Sequence, residues 1–131
     1  MILHLKIIGT LSILLALLHV GFPNYFKWKE NLKDLTLINR QMMLVHTFFV
    51  ALTVFLTGFI MIYNPEDLIG TKLGKQFLFG MALFWGIRLL GQFFFYNAAL
   101  WRGKTFETAI HIVFSLLWLY FTVALFTLAN Y

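Results

Sequence analysis

The sequence contains no cysteine, which excludes disulfide bonds, thiolate metal sites and cysteine nucleophiles. Charge is also scarce, because only 11% of the 131 residues are charged and five of them are acidic. A soluble domain carries about 25% charged residues, so this chain has too few to cover a water-facing surface. The sequence also lacks a glycine-rich phosphate loop and an HExxH zinc motif, which disfavours nucleotide and hydrolase chemistry.

Apolar residues, in contrast, make up 61% of the chain. Four apolar runs lie near 2–22, 40–63, 76–100 and 105–129, and each is long enough to cross a bilayer as a helix of about 20 residues. Pro23 and Pro65 close the first two runs, since proline cannot donate the next helical hydrogen bond. The connecting loops are short, which favours antiparallel neighbours. We therefore predict an all-α membrane protein, a single domain over 1–131 built as an antiparallel up-down bundle of four transmembrane helices.

Two further features concern how these helices contact the membrane surface and one another. Between the first two runs, Trp28, Leu32 and Leu35 recur at i, i+4 and i+7 among charged residues. This pattern predicts either a helix over 25–35 lying in the headgroup region or an irregular loop anchored by the tryptophan. In the third run, small residues would permit close contacts with a neighbouring helix; these are Gly80, Gly86 and Gly91.

Basic residues near the spans predict the orientation of the chain. Six lie on the side of the first and third loops, namely Lys27, Lys29, Lys33, Arg40, Arg102 and Lys104, and three lie opposite, namely Lys6, Lys72 and Lys75. Because basic residues are retained in the cytoplasm, we predict a multi-pass protein of the cell (inner) membrane with both termini outside the cytoplasm. Topology thus explains the net charge of +5 without nucleic acid as a partner. The expected partners are the lipid bilayer and other membrane subunits or further copies of the chain.

Each predicted helix carries one stripe of polar residues, and such stripes usually face the interior of a bundle. His19, His46 and His111 lie about 5, 9 and 9 Å from the same membrane surface, at 1.5 Å per residue. Gln92 and Tyr96 bracket this level from the third helix, at about 12 and 6 Å. Three histidines from three helices are thus predicted to share one layer.

This layer could hold a cofactor, because histidine is the commonest metal ligand. The three imidazoles could bind zinc, copper or iron, with Glu107, one turn before His111, as a further ligand or an orienting group. Alternatively, two of them could be the axial ligands of a b-type haem. The simplest alternative is that these groups only form interhelical hydrogen bonds, which stabilise a bundle by about 0.6 kcal/mol each.

Arg88 is predicted near the middle of the third span, with no acidic residue at its depth. Placing an arginine there costs at least about 2.5–3.5 kcal/mol, so a partner or water access is expected. Trp118 lies at the same level and could supply a cation–π contact. Arg88, Gln92, Tyr96 and Trp118 are therefore candidate cofactor-binding residues, toward a haem propionate, a quinone carbonyl, a lipid phosphate or a transported anion. The alternative is a structural arginine bonded to backbone and threonine oxygens.

The number of helices and the positions of His19, His46 and His111 resemble small four-helix membrane proteins such as the cytochrome b561-like group. That resemblance implies haem or copper between histidine-bearing helices, although His4 is the only histidine available for a second site on the far side. Three functions therefore remain open: a redox or metal-handling protein, a non-catalytic subunit or scaffold, and a small oligomeric transporter that uses Arg88. No catalytic residue is predicted.

Overall fold

The computed structural model describes residues 2–96, 100 and 102–131, and within these ranges the chain is helical and contains no β-strand. Four helical stretches are long and apolar enough to cross a membrane: Ile2–Tyr25, Leu37–Tyr63, Lys72–Phe94 and Thr105–Ala129. The prediction of an all-α, multi-pass membrane protein is therefore confirmed. The chain divides into two compact units, which are described separately below.

The first unit covers Ile2–Pro65. It contains α1 (Ile2–Leu18), a 3-10 turn (His19–Gly21), α2 (Phe22–Tyr25), α3 (Trp28–Asn31) and α4 (Leu37–Tyr63). Helices α1 and α4 pack along each other as a hairpin.

The backbones of α1 and α4 approach each other tightly at Gly9 and Gly58, both of which are buried. A Cβ atom placed on Gly9 would lie 2.6 Å from the carbonyl oxygen of Gly58, and one on Gly58 would lie 2.7 Å from that of Gly9. The two backbones therefore touch directly, and neither position has room for a side chain.

The second unit covers Glu66–Tyr131. After α5 (Pro65–Gly70), it consists of a hairpin of α6 (Lys72–Phe94) and α7 (Thr105–Ala129). The Thr71 side chain caps α6 by accepting a hydrogen bond from the Gly74 N–H at 2.9 Å, which satisfies one of the amides that a helix start leaves unpaired. Trp85 of α6 packs against Phe121 of α7, with ring centroids 5.2 Å apart, and both side chains are buried.

Three sequence-based expectations about these elements need correction. Pro23 does not close the first span but lies in the first turn of α2, where the missing N–H has no helical partner to lose. The helix that was one of the two alternatives for 25–35 is limited to the single turn Trp28–Asn31, because Lys27 adopts a left-handed backbone conformation with φ of 53° and separates it from α2. The third span begins at Lys72 instead of 76, because Thr71 supplies the cap, and it ends at Phe94 instead of 100; residues 97–99 lie outside the described ranges.

The glycines singled out in the third run are also not where the backbones meet. A Cβ atom on Gly80 would have no described atom within 4 Å, and one on Gly86 would make only an ordinary contact of 3.4 Å with Thr122. Gly91 would be approached only by side chains of its own helix or its cap, Arg88 and Phe95. A tight backbone contact between two long helices lies instead in the other hairpin, at Gly9 and Gly58.

Candidate functional site

Three of the predicted site residues form a continuous hydrogen-bonded chain inside the second unit. Arg88 and Gln92 lie one turn apart on α6, and Arg88 Nη1 donates to Gln92 Oε1 at 3.1 Å. The side-chain nitrogen of Gln92 lies 2.9 Å from Nδ1 of His111 on α7. Gln92 is only 8% exposed, so its amide links the two helices away from bulk solvent.

The direction of these bonds selects the tautomer of a neutral His111. Because Gln92 Oε1 accepts from the guanidinium, the other end of the amide is the NH₂ group, and it donates to Nδ1. A neutral imidazole that accepts at Nδ1 carries its proton on Nε2. In this tautomer Nε2 of His111 is a hydrogen-bond donor, whereas a metal or haem iron would need its lone pair.

The guanidinium of Arg88 is surrounded by neutral groups. Its Cζ lies 5.3 Å from the ring centre of Trp118 and 5.4 Å from that of Tyr96, and Nη2 lies 3.5 Å from the Tyr96 hydroxyl. The cation–π contact expected with Trp118 is thus present. Among the described residues, no carboxylate lies within ion-pairing distance of this charge.

The bounds of the helices change the depth expected for Arg88. It lies six residues before the end of α6, which is about 9 Å at 1.5 Å per residue. His111 lies six residues after the start of α7, again about 9 Å. Both groups therefore lie near the end of the hairpin that carries the α6–α7 connection. Arg88 therefore does not lie at the middle of α6, and its contacts with Gln92 and Tyr96 direct its side chain toward this end of the helix.

Two buried tryptophans complete this site, and one of them was not among the candidates from sequence. Trp85 and Trp118 stack with ring centroids 4.9 Å apart and an angle of 9° between the planes; they are 2% and 3% exposed. Neither indole N–H has a hydrogen-bond partner among the described residues. Trp85 precedes Arg88 by three residues, so helical spacing places it on the same face, and that spacing was the available signal.

The remaining candidate ligands are placed as follows. His19, in the 3-10 turn after α1, has Nδ1 2.8 Å from the Leu15 carbonyl oxygen, so Nδ1 carries the proton and Nε2 keeps its lone pair. His46 is exposed on α4, nine residues after Leu37 and thus about 14 Å from the start of the helix. Glu107 is exposed in the first turn of α7.

These positions do not identify a metal centre. Within residues 2–96, 100 and 102–131, no group of three or more histidine or carboxylate side chains is arranged to hold a metal ion. Binding of zinc, copper, iron or haem by His19, His46 and His111 therefore stays a prediction from the sequence.

Comparison of the chain with protein-family models, with curated proteins and with solved structures finds no match in any of the three. The resemblance to the cytochrome b561-like group stays a prediction, and function must be inferred from the residues themselves.

Proposed function

We propose that this membrane protein binds an anionic ligand at Arg88 in the second hairpin and, as an oligomer, carries it across the membrane. The observation that supports this is the set of neutral partners around the guanidinium: Gln92, Tyr96 and Trp118. Neutral dipoles and aromatic rings hold a positive charge in place but do not cancel it.

The energies of these contacts separate a structural role from a binding role. A hydrogen bond to a charged group contributes about 1.5–3 kcal/mol, and each cation–π contact contributes about 0.5–2 kcal/mol. Together they offset even the cost of about 2.5–3.5 kcal/mol for an arginine at the centre of a span, so Arg88, which lies nearer a helix end, can be held without a ligand. An anion 4 Å from the uncancelled charge would still gain about 4 kcal/mol at an effective dielectric constant of 20.

Two further side chains near Arg88 carry hydrogen-bond donors that an anion could accept from. The two buried indole N–H groups of Trp85 and Trp118 have no partner among the described residues, and an unsatisfied buried donor costs about 1–3 kcal/mol. A ligand oxygen or a halide that accepted one of these bonds would recover that cost. We expect the donors and the guanidinium to act on one ligand.

The experiment compares Arg88→Gln with Arg88→Lys in purified protein. Iodide serves as the probe, because it is an anion and quenches tryptophan fluorescence on contact, and Trp118 lies 5.3 Å from the guanidinium. We expect saturable quenching and electrogenic iodide flux in proteoliposomes, both lost in Arg88→Gln and partly kept in Arg88→Lys. Arg102→Gln is the matched control, since it removes the same charge from an exposed loop position. Equal quenching and flux in Arg88→Gln and the native protein would refute the proposal.

An oligomeric carrier needs a defined arrangement in the bilayer. We propose that the two hairpins assemble into the antiparallel four-helix bundle expected from the sequence, with both termini outside the cytoplasm. The absence of native cysteine allows single cysteines to be introduced on a clean background. Labelling of Tyr131→Cys but not Lys29→Cys by a membrane-impermeant maleimide on intact cells supports this orientation, and the reverse pattern contradicts it.

A redox or metal-handling role is a second candidate, favoured by one observation. The Nδ1–H of His19 bonds to a backbone carbonyl, which leaves Nε2 in the form that ligates metals. An absorption spectrum and elemental analysis of the purified protein test this role. A Soret band or a stoichiometric metal that is lost in His19→Ala and kept in His4→Ala would support it, and folded protein with neither would exclude it.

A further inference from the structure

We propose a second binding site, for the phosphate headgroup of an anionic phospholipid, at the opposite end of the α6–α7 hairpin from Arg88. An open cavity of about 550 Å³ lies where α6 begins and α7 ends. Its lining includes Lys72, Lys75 and Gln76 from the first turns of α6, and Ala129 and Asn130 from the end of α7. Every lining residue belongs to the second unit.

The charge at the mouth of this cavity favours a phosphate. Lys72 and Lys75 line it together, and neither forms an ion pair with a described carboxylate, including the nearby Glu66 and Asp67 of α5. The cavity also adjoins the start of α6, where first-turn amides carry a partial positive charge. The Thr71 side chain accepts a hydrogen bond from the Gly74 amide only. The partial positive charge at the start of α6 therefore adds to the charge of the two lysines.

The end of α7 would oppose an anion if its carbonyl groups were free, but the structure caps them. The Asn130 side-chain nitrogen donates to the Phe126 carbonyl oxygen at 2.9 Å. Its backbone N–H bonds to the carbonyls of Phe126 and Thr127, and the Tyr131 N–H bonds to that of Leu128. The last-turn carbonyls are therefore largely occupied and contribute little negative potential at the mouth.

The aromatic wall of the cavity favours a phospholipid as the source of the phosphate. Phe79 lines it and contacts Phe126 of α7, with ring centroids 6.1 Å apart. Both aromatic side chains are about half exposed, at 43% and 53%. Phe79 lies one to two turns after the lysines on α6, and Phe126 lies about one turn before the end of α7; both helices are of membrane-spanning length. A free phosphate would use only the polar mouth, whereas a phospholipid would place its headgroup on the lysines and its acyl chain on the rings.

The experiment measures bound lipid on the full chain by native mass spectrometry. The protein is released from nanodiscs of phosphatidylcholine with one-fifth phosphatidylglycerol, and retained phosphatidylglycerol is counted. Since each lysine near an anionic lipid strengthens binding by roughly fivefold, we expect Lys72→Gln/Lys75→Gln to lower retention by about thirtyfold. Lys72→Arg/Lys75→Arg should keep it, and Lys27→Gln/Lys29→Gln, which removes the same charge elsewhere, should leave it unchanged.

Three results would overturn the proposal. Unchanged retention in Lys72→Gln/Lys75→Gln would show that the lysines do not bind the lipid. An equal loss in Lys27→Gln/Lys29→Gln would show that only overall charge matters. Displacement of the lipid by millimolar inorganic phosphate would show that free phosphate is the ligand. Phe79→Ala provides a further test, because it should weaken lipid retention without affecting any binding of inorganic phosphate.

Discussion

The contact between Gly9 and Gly58 leads to a prediction in which one type of substitution has opposite effects at two positions. Glycine to alanine in the interior of a helix normally stabilises the helix by about 1 kcal/mol. At Gly9, however, the new Cβ atom would meet the backbone oxygen of Gly58 at 2.6 Å, and a backbone atom cannot rotate away. Overpacking of this kind costs about 1–3 kcal/mol, so we expect Gly9→Ala to destabilise the α1–α4 hairpin by about 1 kcal/mol net.

Gly80 provides the comparison, because a Cβ atom there has no described atom within 4 Å. Gly80→Ala should therefore stabilise the protein by about 0.5–1 kcal/mol. Equilibrium unfolding in mixed micelles with increasing sodium dodecyl sulfate, followed by far-ultraviolet circular dichroism, gives the free energy of each variant. Gly58→Ala should match Gly9→Ala, since it adds the same atom from the other side of the contact. If Gly9→Ala and Gly80→Ala shift the transition in the same direction, the inferred backbone contact is wrong.

Two further stability predictions use the same assay. Thr71→Ala removes the side chain that caps α6 and should cost about 1 kcal/mol, while Thr71→Ser, which keeps the hydroxyl, should cost much less. Ser12→Ala should be neutral or stabilising by up to about 1 kcal/mol, because the Ser12 hydroxyl is 1% exposed and has no partner among the described residues; a loss of stability would reveal a hydrogen bond to that hydroxyl.

Sequence patterns predicted the number and class of the helices because hydropathy acts over about 20 residues and does not depend on which helix contacts which. Helix ends were less predictable. The sequence placed Lys72 and Lys75 outside the third span. In the structure, Thr71 caps a helix that includes both lysines. The helix also ends at Phe94 instead of 100, and the two shifts together move Arg88 away from the middle of the helix.

The part of the candidate site that lies on one helix was predictable from the spacing of its residues. Arg88, Gln92 and Tyr96 share one face of one helix, so helical spacing alone places them together. The hydrogen bond between Gln92 and His111 joins two helices. The sequence could suggest it only because the two residues were predicted at similar depths in the membrane. The tight contact at Gly9 and Gly58 depends on which faces of α1 and α4 meet, and no spacing within either helix specifies that.

The protonation of His111 separates the anion-binding proposal from a haem or metal role for this residue. The bonds from Arg88 through Gln92 place the proton of a neutral His111 on Nε2, whereas axial ligation through Nε2 requires it on Nδ1. Nitrogen-15 NMR of histidine-labelled protein distinguishes the two forms, and His111→Gln identifies the signal. Gln92→Leu should remove the preference, since leucine cannot donate to Nδ1, whereas Gln92→Asn tests how far the amide can move. A signal with Nδ1 protonated in the native protein would contradict the inferred direction of the Arg88–Gln92–His111 bonds and would return His111 to the candidate metal ligands.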